Sequence, residues 1–96
     1  MIPLDDLITG LHVLQMTGNL PAEVADVQFD SRRVSAGSMF IAIRGSAADG
    51  HAYIDQAIRH GAGIIICEEF PETFCPQVGY LLVEDSATAL GIVASN

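Results

Sequence analysis

Three short apolar runs decide what this chain can fold into: MFIAI at 39–43, GIIIC at 63–67 and YLLV at 80–83. Runs of this length without polar alternation, the second of them strongly β-branched, read as strands covered on both faces. Between the first two lies YIDQAIRH at 53–60, where Tyr53, Ile54, Ala57 and Ile58 recur at helical spacing. Gly61 and Gly63 predict where that helix stops. After the third run, Asp85-Ser86 is set to cap a last helix, ATALGIVASN. Upstream, Pro3 followed by LDDLITGL predicts a short helix, with Asp5 and Asp6 at the positive end of its dipole. HVLQMTG predicts a strand ending at Gly18-Asn19, and residues 20–23 a turn around Pro21. Val24, Val27 and Phe29 predict one strand running into Asp30. Strands alternating with helices in this way give an α/β sandwich.

Ninety-six residues, half of them hydrophobic, make one domain with a core that needs no metal or disulfide staple. The formal charge of -8 argues against nucleic acid and against an anionic membrane as partners. It leaves room for a small phosphorylated ligand, which a few arginines and backbone N–H groups can hold. No apolar run approaches the roughly 20 residues of a membrane span. The opening MIPLDDLITG carries acids where a signal peptide carries bases. Cys67 and Cys75 are too few for a disulfide framework, and Cys67, ending an apolar run, reads as a buried small hydrophobe. A cytoplasmic, reduced setting is expected.

The cations are not spread evenly. The chain has four arginines and no lysine, and Arg32, Arg33 and Arg44 all fall in DSRRVSAGSMFIAIRGSAADGH at 30–51. Asp30 and Ser31, just after a strand, can hydrogen-bond nearby N–H groups and hold a sharp turn. Two readings stay open there: a structural turn with solvated arginines, or an anion-binding site at a strand end. In RGSAADGH, small residues let a ligand approach the backbone closely. The loop is neither the dinucleotide glycine fingerprint nor a Walker A segment, and the latter is impossible without a lysine. His12, His51 and His60 show no metal spacing and read as surface or helix-end residues. Glu68, Glu69 and Glu72 read as a solvated loop run. A Ser-His-Asp set can be drawn on paper from Ser31, His51 and Asp49, but nothing in the spacing supports it. No catalytic residue and no metal site are expected: the chain reads as a binding module.

Taken together, these motifs resemble the N-terminal domain of the Mur ligases, of the type that extends UDP-MurNAc-L-Ala-D-Glu. The matching residues are Asp30-Ser31-Arg32, Gly37, the apolar strand at 39–43, Gly45, Asp49-Gly50-His51, Ala57 and Gly61-Ala62. The resemblance is firm over residues 24–70 and looser over the whole chain. It implies an α/β fold with a small mixed β-sheet packed with helices. It implies a three-domain, ATP-dependent ligase of cytoplasmic peptidoglycan synthesis, adding meso-diaminopimelate or, as the lesser expectation, L-lysine. ATP and Mg2+ would sit in a central domain outside these residues, and this domain, residues 1–96, would hold the UDP end of the substrate. The last helix lacks a stop signal, as if a longer chain were cut at a domain boundary. The resemblance carries substrate contacts to Phe29, Ser31 and the loop Ser46-Ala47-Ala48. Relatives of this type can have a larger polar pair in place of Ser46-Ala47, which favours backbone contacts here. Asp30, Arg32, Arg44, Asp49, Gly50 and His51 are expected to support the loops or the phosphates. The alternatives are a sister ligase adding D-Ala-D-Ala and a stand-alone, non-catalytic nucleotide-binding or adaptor domain.

Overall fold

The computed structural model describes residues 1–96. Strand β1 (Ile2–Pro3) leads into helix α1 (Leu4–Leu7), followed by β2 (Gln15–Gly18), β3 (Glu23–Val24) and β4 (Val27–Gln28). A 3-10 turn, Ser31–Arg33, precedes β5 (Met39–Ile41), and a second, Gly50–Tyr53, opens helix α2 (Ile54–Arg59). Strands β6 (Ile64–Cys67) and β7 (Gly79–Leu82) and helix α3 (Ser86–Ser95) complete the chain. The main sheet has the order β2-β7-β6-β5-β4. β4, β5, β6 and β7 run parallel, while β2 lies antiparallel on the outer side of β7. This is the mixed α/β sheet that the sequence resemblance implied.

The apolar runs are continuous because each strand feeds two cores. Met39, Ile41, Ile64, Ile66 and Leu81 meet Leu4 and Leu7 of α1 and Ala89 and Val93 of α3. Their strand neighbours Phe40, Ala42, Ile65, Cys67 and Tyr80 face the other way, against Ile54 and Ala57 of α2. Cys67 is fully buried, and burial pushes its thiol up to about 11, as suits an inert small hydrophobe. Helix α2 ends at Gly61, whose φ of +109° favours glycine. A Cβ there would also stand 2.8 Å from Ala36 Cα. No helix is long and apolar enough to cross a membrane.

Two strand expectations need correction. The single strand across Val24, Val27 and Phe29 is two strands in two sheets. Val24 pairs with Ile2 in a two-stranded sheet, whereas Val27 and Gln28 pair with Met39 and Phe40. The break falls at Ala25-Asp26 because Asp26 is held from several sides. Its carboxylate accepts from Ser38 Oγ and from Gln28 Nε2, and its carbonyl accepts from Met39 N. The strand expected over 39–43 stops at Ile41. Ala42 still donates to Ile66 O, but at Ile43 the carbonyl turns to accept from Gly50 N at 2.7 Å and the chain leaves the sheet.

Candidate functional site

Because β4 and β5 are parallel, their carboxyl ends open on the same edge of the sheet, where sites in such folds commonly form. Phe29 to Arg32 leave β4 there, residues 42–50 leave β5, and α2 begins beside them. Between them lies a cleft of about 480 Å3. Phe29, Asp30, Ser31, Arg32, Ala48 and Gly50, all singled out from the sequence, line it. So do Phe40, Ile43 and Tyr53, read from the sequence as strand or helix face, and Gln56, which was not singled out. A signal was available for two of them: Tyr53 and Gln56 are three apart, and so share a face at the start of a helix.

The first wall is the Asp30–Arg33 turn. Asp30 Oδ1 accepts from Arg32 N at 3.0 Å and from Arg32 Nε at 3.1 Å, and Oδ2 accepts from Nη2 at 2.9 Å. The Arg32 fork beside Asp30, chiefly through its side-chain hydrogen bonds, lowers the carboxyl pKa to about 2. The Arg32 side chain is still 81% exposed, so its Nη1 donors stay accessible from the cleft. Ser31, nearly buried, donates from Oγ to Gln56 Oε1 at 3.1 Å, and its carbonyl faces His60 Nδ1 at 2.8 Å. The turn is therefore bolted to α2 from both ends, and it also walls a cleft. The two sequence readings of this turn are compatible.

The second wall is a hairpin. Arg44 and Asp49 form an antiparallel bridge, and Gly45 N donates to Ala48 O at 3.0 Å. Ser46 and Ala47 sit exposed at its tip, outside the cleft lining, and only Ala48 reaches the cleft. The backbone N–H groups of Ser46, Ala47 and Ala48 donate to no other group of the chain. They are available to an acceptor on a ligand. Gly50 passes so close beneath that an added Cβ would stand 2.7 Å from Ile43 N.

Arg44, Asp49 and His51 lie behind the cleft, in a closed set of polar contacts. Arg44 N donates to Ser86 Oγ at 3.0 Å, and Ser86 N donates to Glu68 Oε2 at 2.7 Å. The Arg44 guanidinium pairs with Glu68 Oε1 at 3.4 Å and with Asp49 Oδ2 at 3.6 Å. Asp49 Oδ1 accepts from His51 N and from His51 Nδ1, and Glu68 N donates to His51 Nε2 at 2.9 Å. A backbone N–H can only donate, so Nε2 carries no proton and Nδ1 carries the ring hydrogen. The backbone hydrogen bonds from His51 and from Ser86 are the largest causes of the lowered pKa values of Asp49 and Glu68.

One expectation changes here and two sharpen. Glu68 is no member of a solvated run, because it takes the first N–H of α3. His51, read as a surface or helix-end residue, stands in the turn that opens α2, with its side chain only 12% exposed and wedged between Asp49 and the Glu68 amide. Arg44, expected to support the loops or the phosphates, pairs with two carboxylates of the loop contacts and lies outside the cleft lining. The paper triad fails as well, since Ser31 Oγ turns to Gln56 and His51 Nε2 is already occupied. No group of three or more His, Cys, Asp or Glu side chains is arranged to hold a metal ion.

Comparison with known proteins identifies the family. The model of the Mur ligase family, catalytic domain, matches residues 23–96. The UDP-N-acetylmuramoyl-L-alanyl-D-glutamate--2,6-diaminopimelate ligase of Parabacteroides distasonis is 46% identical over 92 residues, covering 96% of this chain and 19% of its own. The enzyme of the same name from Cytophaga hutchinsonii is 44% identical, covering 95% of this chain and 19% of its own. The chain thus spans about a fifth of the length of these relatives. Among solved structures, MurF from Acinetobacter baumannii superposes with a TM-score of 0.82 at 23% identity, over 98% of this chain and 20% of that one. MurF ligase from Thermotoga maritima, in complex with ADP, gives 0.62 at 35% identity, over 72% of this chain and 16% of that one. The Acinetobacter likeness carries the fold, the family model covers most of the residues, and the relatives align along nearly the whole chain: this chain belongs to the Mur ligase family.

Proposed function

We propose that this chain is the substrate-gripping first domain of a ligase that adds a diamino acid, meso-diaminopimelate, to UDP-MurNAc-L-Ala-D-Glu, and that its cleft holds the UDP end. One observation carries the reading: relatives bearing the diaminopimelate ligase name match almost end to end, at 36–46% identity over 92 residues for the first five. The cleft supplies what a nucleoside diphosphate needs. Phe29, 61% exposed at its mouth, offers a flat apolar wall for a base. The free N–H of Ala48 in the cleft lining, those of Ser46 and Ala47 at the hairpin tip beside it, and the open Nη1 donors of Arg32 offer hydrogen bonds to phosphate oxygens. Asp30 keeps Arg32 in place, and the closed contacts around Arg44, Asp49 and His51 keep the hairpin in place.

ATP and magnesium, which the ligase reaction uses to activate a carboxylate, do not fit these residues. There is no lysine for a Walker segment and no acidic or histidine cluster for the metal. We place both in another domain of the same protein, in a cytoplasmic setting, and assign no residue of this chain to the chemical step. Its work is to bind and orient a substrate whose reacting end lies elsewhere.

The test is a titration of the 15N-labelled chain with millimolar UDP. Amide shifts concentrated at residues 29–32 and 45–50 are expected. Shifts elsewhere, or none, overturn the site. In the full-length ligase, phosphate release from ATP should require both UDP-MurNAc-L-Ala-D-Glu and meso-diaminopimelate.

A further inference from the structure

The cleft contains a polar pair that the residues assigned to the ligand so far do not account for. Gln56 lines the cleft from the first turns of α2, and its Oε1 accepts from the nearly buried Ser31 hydroxyl. Its Nε2 donates to nothing in the chain, and Oε1 keeps a second lone pair. One turn earlier, Tyr53, a residue 47% exposed, lines the same cleft, and so does Phe29. A flat ligand in this cleft shares it with two aromatic residues and a neutral carboxamide.

We propose that Gln56 reads the imide edge of the uracil base and that Ser31 fixes the orientation in which it reads. The proposal rests on the cleft being a uridine nucleotide site. Uracil presents a donor, N3–H, beside an acceptor, O4. A carboxamide complements that pair through Oε1 and Nε2 in one orientation. Cytosine presents the reverse, an acceptor at N3 and a donor at N4, and requires the amide turned over. Turning it sets the Nε2 donor against the Ser31 hydroxyl, whose oxygen can accept from it but whose proton then loses its one acceptor in the chain, and Ser31 is only 6% exposed. A buried donor left unpaired is costly, so the pair selects uracil. The phosphates belong elsewhere. The remaining Oε1 lone pair repels an anion, whereas the hairpin N–H groups and the open Nη1 of Arg32 attract one.

The experiment titrates UDP and CDP into the full chain and into Gln56→Leu, Gln56→Glu and Ser31→Ala, with the amide spectrum of each variant confirming its fold. The unsubstituted chain should prefer UDP by about tenfold, in the range expected for one directed hydrogen-bonding pair. Gln56→Leu should weaken UDP by roughly that factor, leave CDP nearly unchanged and bring the ratio close to one. Gln56→Glu keeps an acceptor for Ser31 but sets a carboxylate against O4, so UDP should weaken further. Ser31→Ala should narrow the ratio by freeing the amide to turn. A UDP/CDP ratio that survives Gln56→Leu and Gln56→Glu overturns the role of Gln56 and leaves the nucleotide site standing. Failure of the unsubstituted chain to bind UDP overturns both.

Discussion

Asp30 takes one backbone N–H and the Arg32 guanidinium on a single carboxylate, and its pKa falls to about 2. The folded value lies below the ordinary aspartate value of about 3.9. The interaction therefore favours the fold above about pH 4 and is lost as the pH drops through about 2. The pair is exposed and screened, so its use is to orient Arg32. Carboxyl NMR should give an Asp30 midpoint near 2, and Arg32→Ala should move it up toward the ordinary value. An unmoved midpoint would mean that the backbone hydrogen bond alone sets it. Of this residue-scale detail, the Asp30 turn was legible, because an aspartate two residues before a free N–H caps locally, and Asp49 makes the same kind of turn at His51. Partners far along the chain were not: Glu68 meets His51 across 17 residues and Gln56 meets Ser31 across 25, and no local spacing records such pairings.

Helix α3 shows how an element is fixed from two directions. Asp85 Oδ1 accepts from Thr88 N at 3.0 Å as a local cap, and Glu68 takes Ser86 N from outside the helix. Asp85→Ala should cost about 1 kcal/mol, read as a lower urea midpoint at unchanged slope. That cap was legible from Asp85-Ser86, and so were α2, β5, β6 and β7, because double-faced burial leaves continuous apolar runs. The bend separating β3 from β4 was not. It depends on Asp26 being caught by Ser38, twelve residues away, and an alternating pattern across 24–29 cannot encode it. The early end of β5 has the same origin, since Gly50 captures the Ile43 carbonyl from the far side of a hairpin.

At the scale of the molecule, one sheet carries two cores and a surface crowded with acids. Twelve acidic residues face four arginines, for a formal charge of -8. Self-repulsion destabilises a compact chain of such charge, and salt relieves it. Raising sodium chloride from about 10 mM to about 150 mM, which shortens the screening length from roughly 30 to roughly 8 Å, should raise Tm. A fall in Tm would mean that the surface ion pairs outweigh the repulsion. The sheet order β2-β7-β6-β5-β4 was beyond sequence reading, because parallel pairing joins segments through long crossovers and leaves no local signature.

The contacts behind the cleft have a consequence of their own. Arg44, Ser86, Glu68, His51 and Asp49 are joined in a cycle, with the Arg44–Glu68 pair as a chord across it. Cutting one link of a cycle leaves every member connected by the other route. Cutting two can detach an arc. Ser86→Ala cuts a single link and should be tolerated, whereas replacing His51, Asp49 or Glu68 cuts two at once, so that paired replacements interact strongly and the order in which changes accumulate decides which sequences this loop can reach.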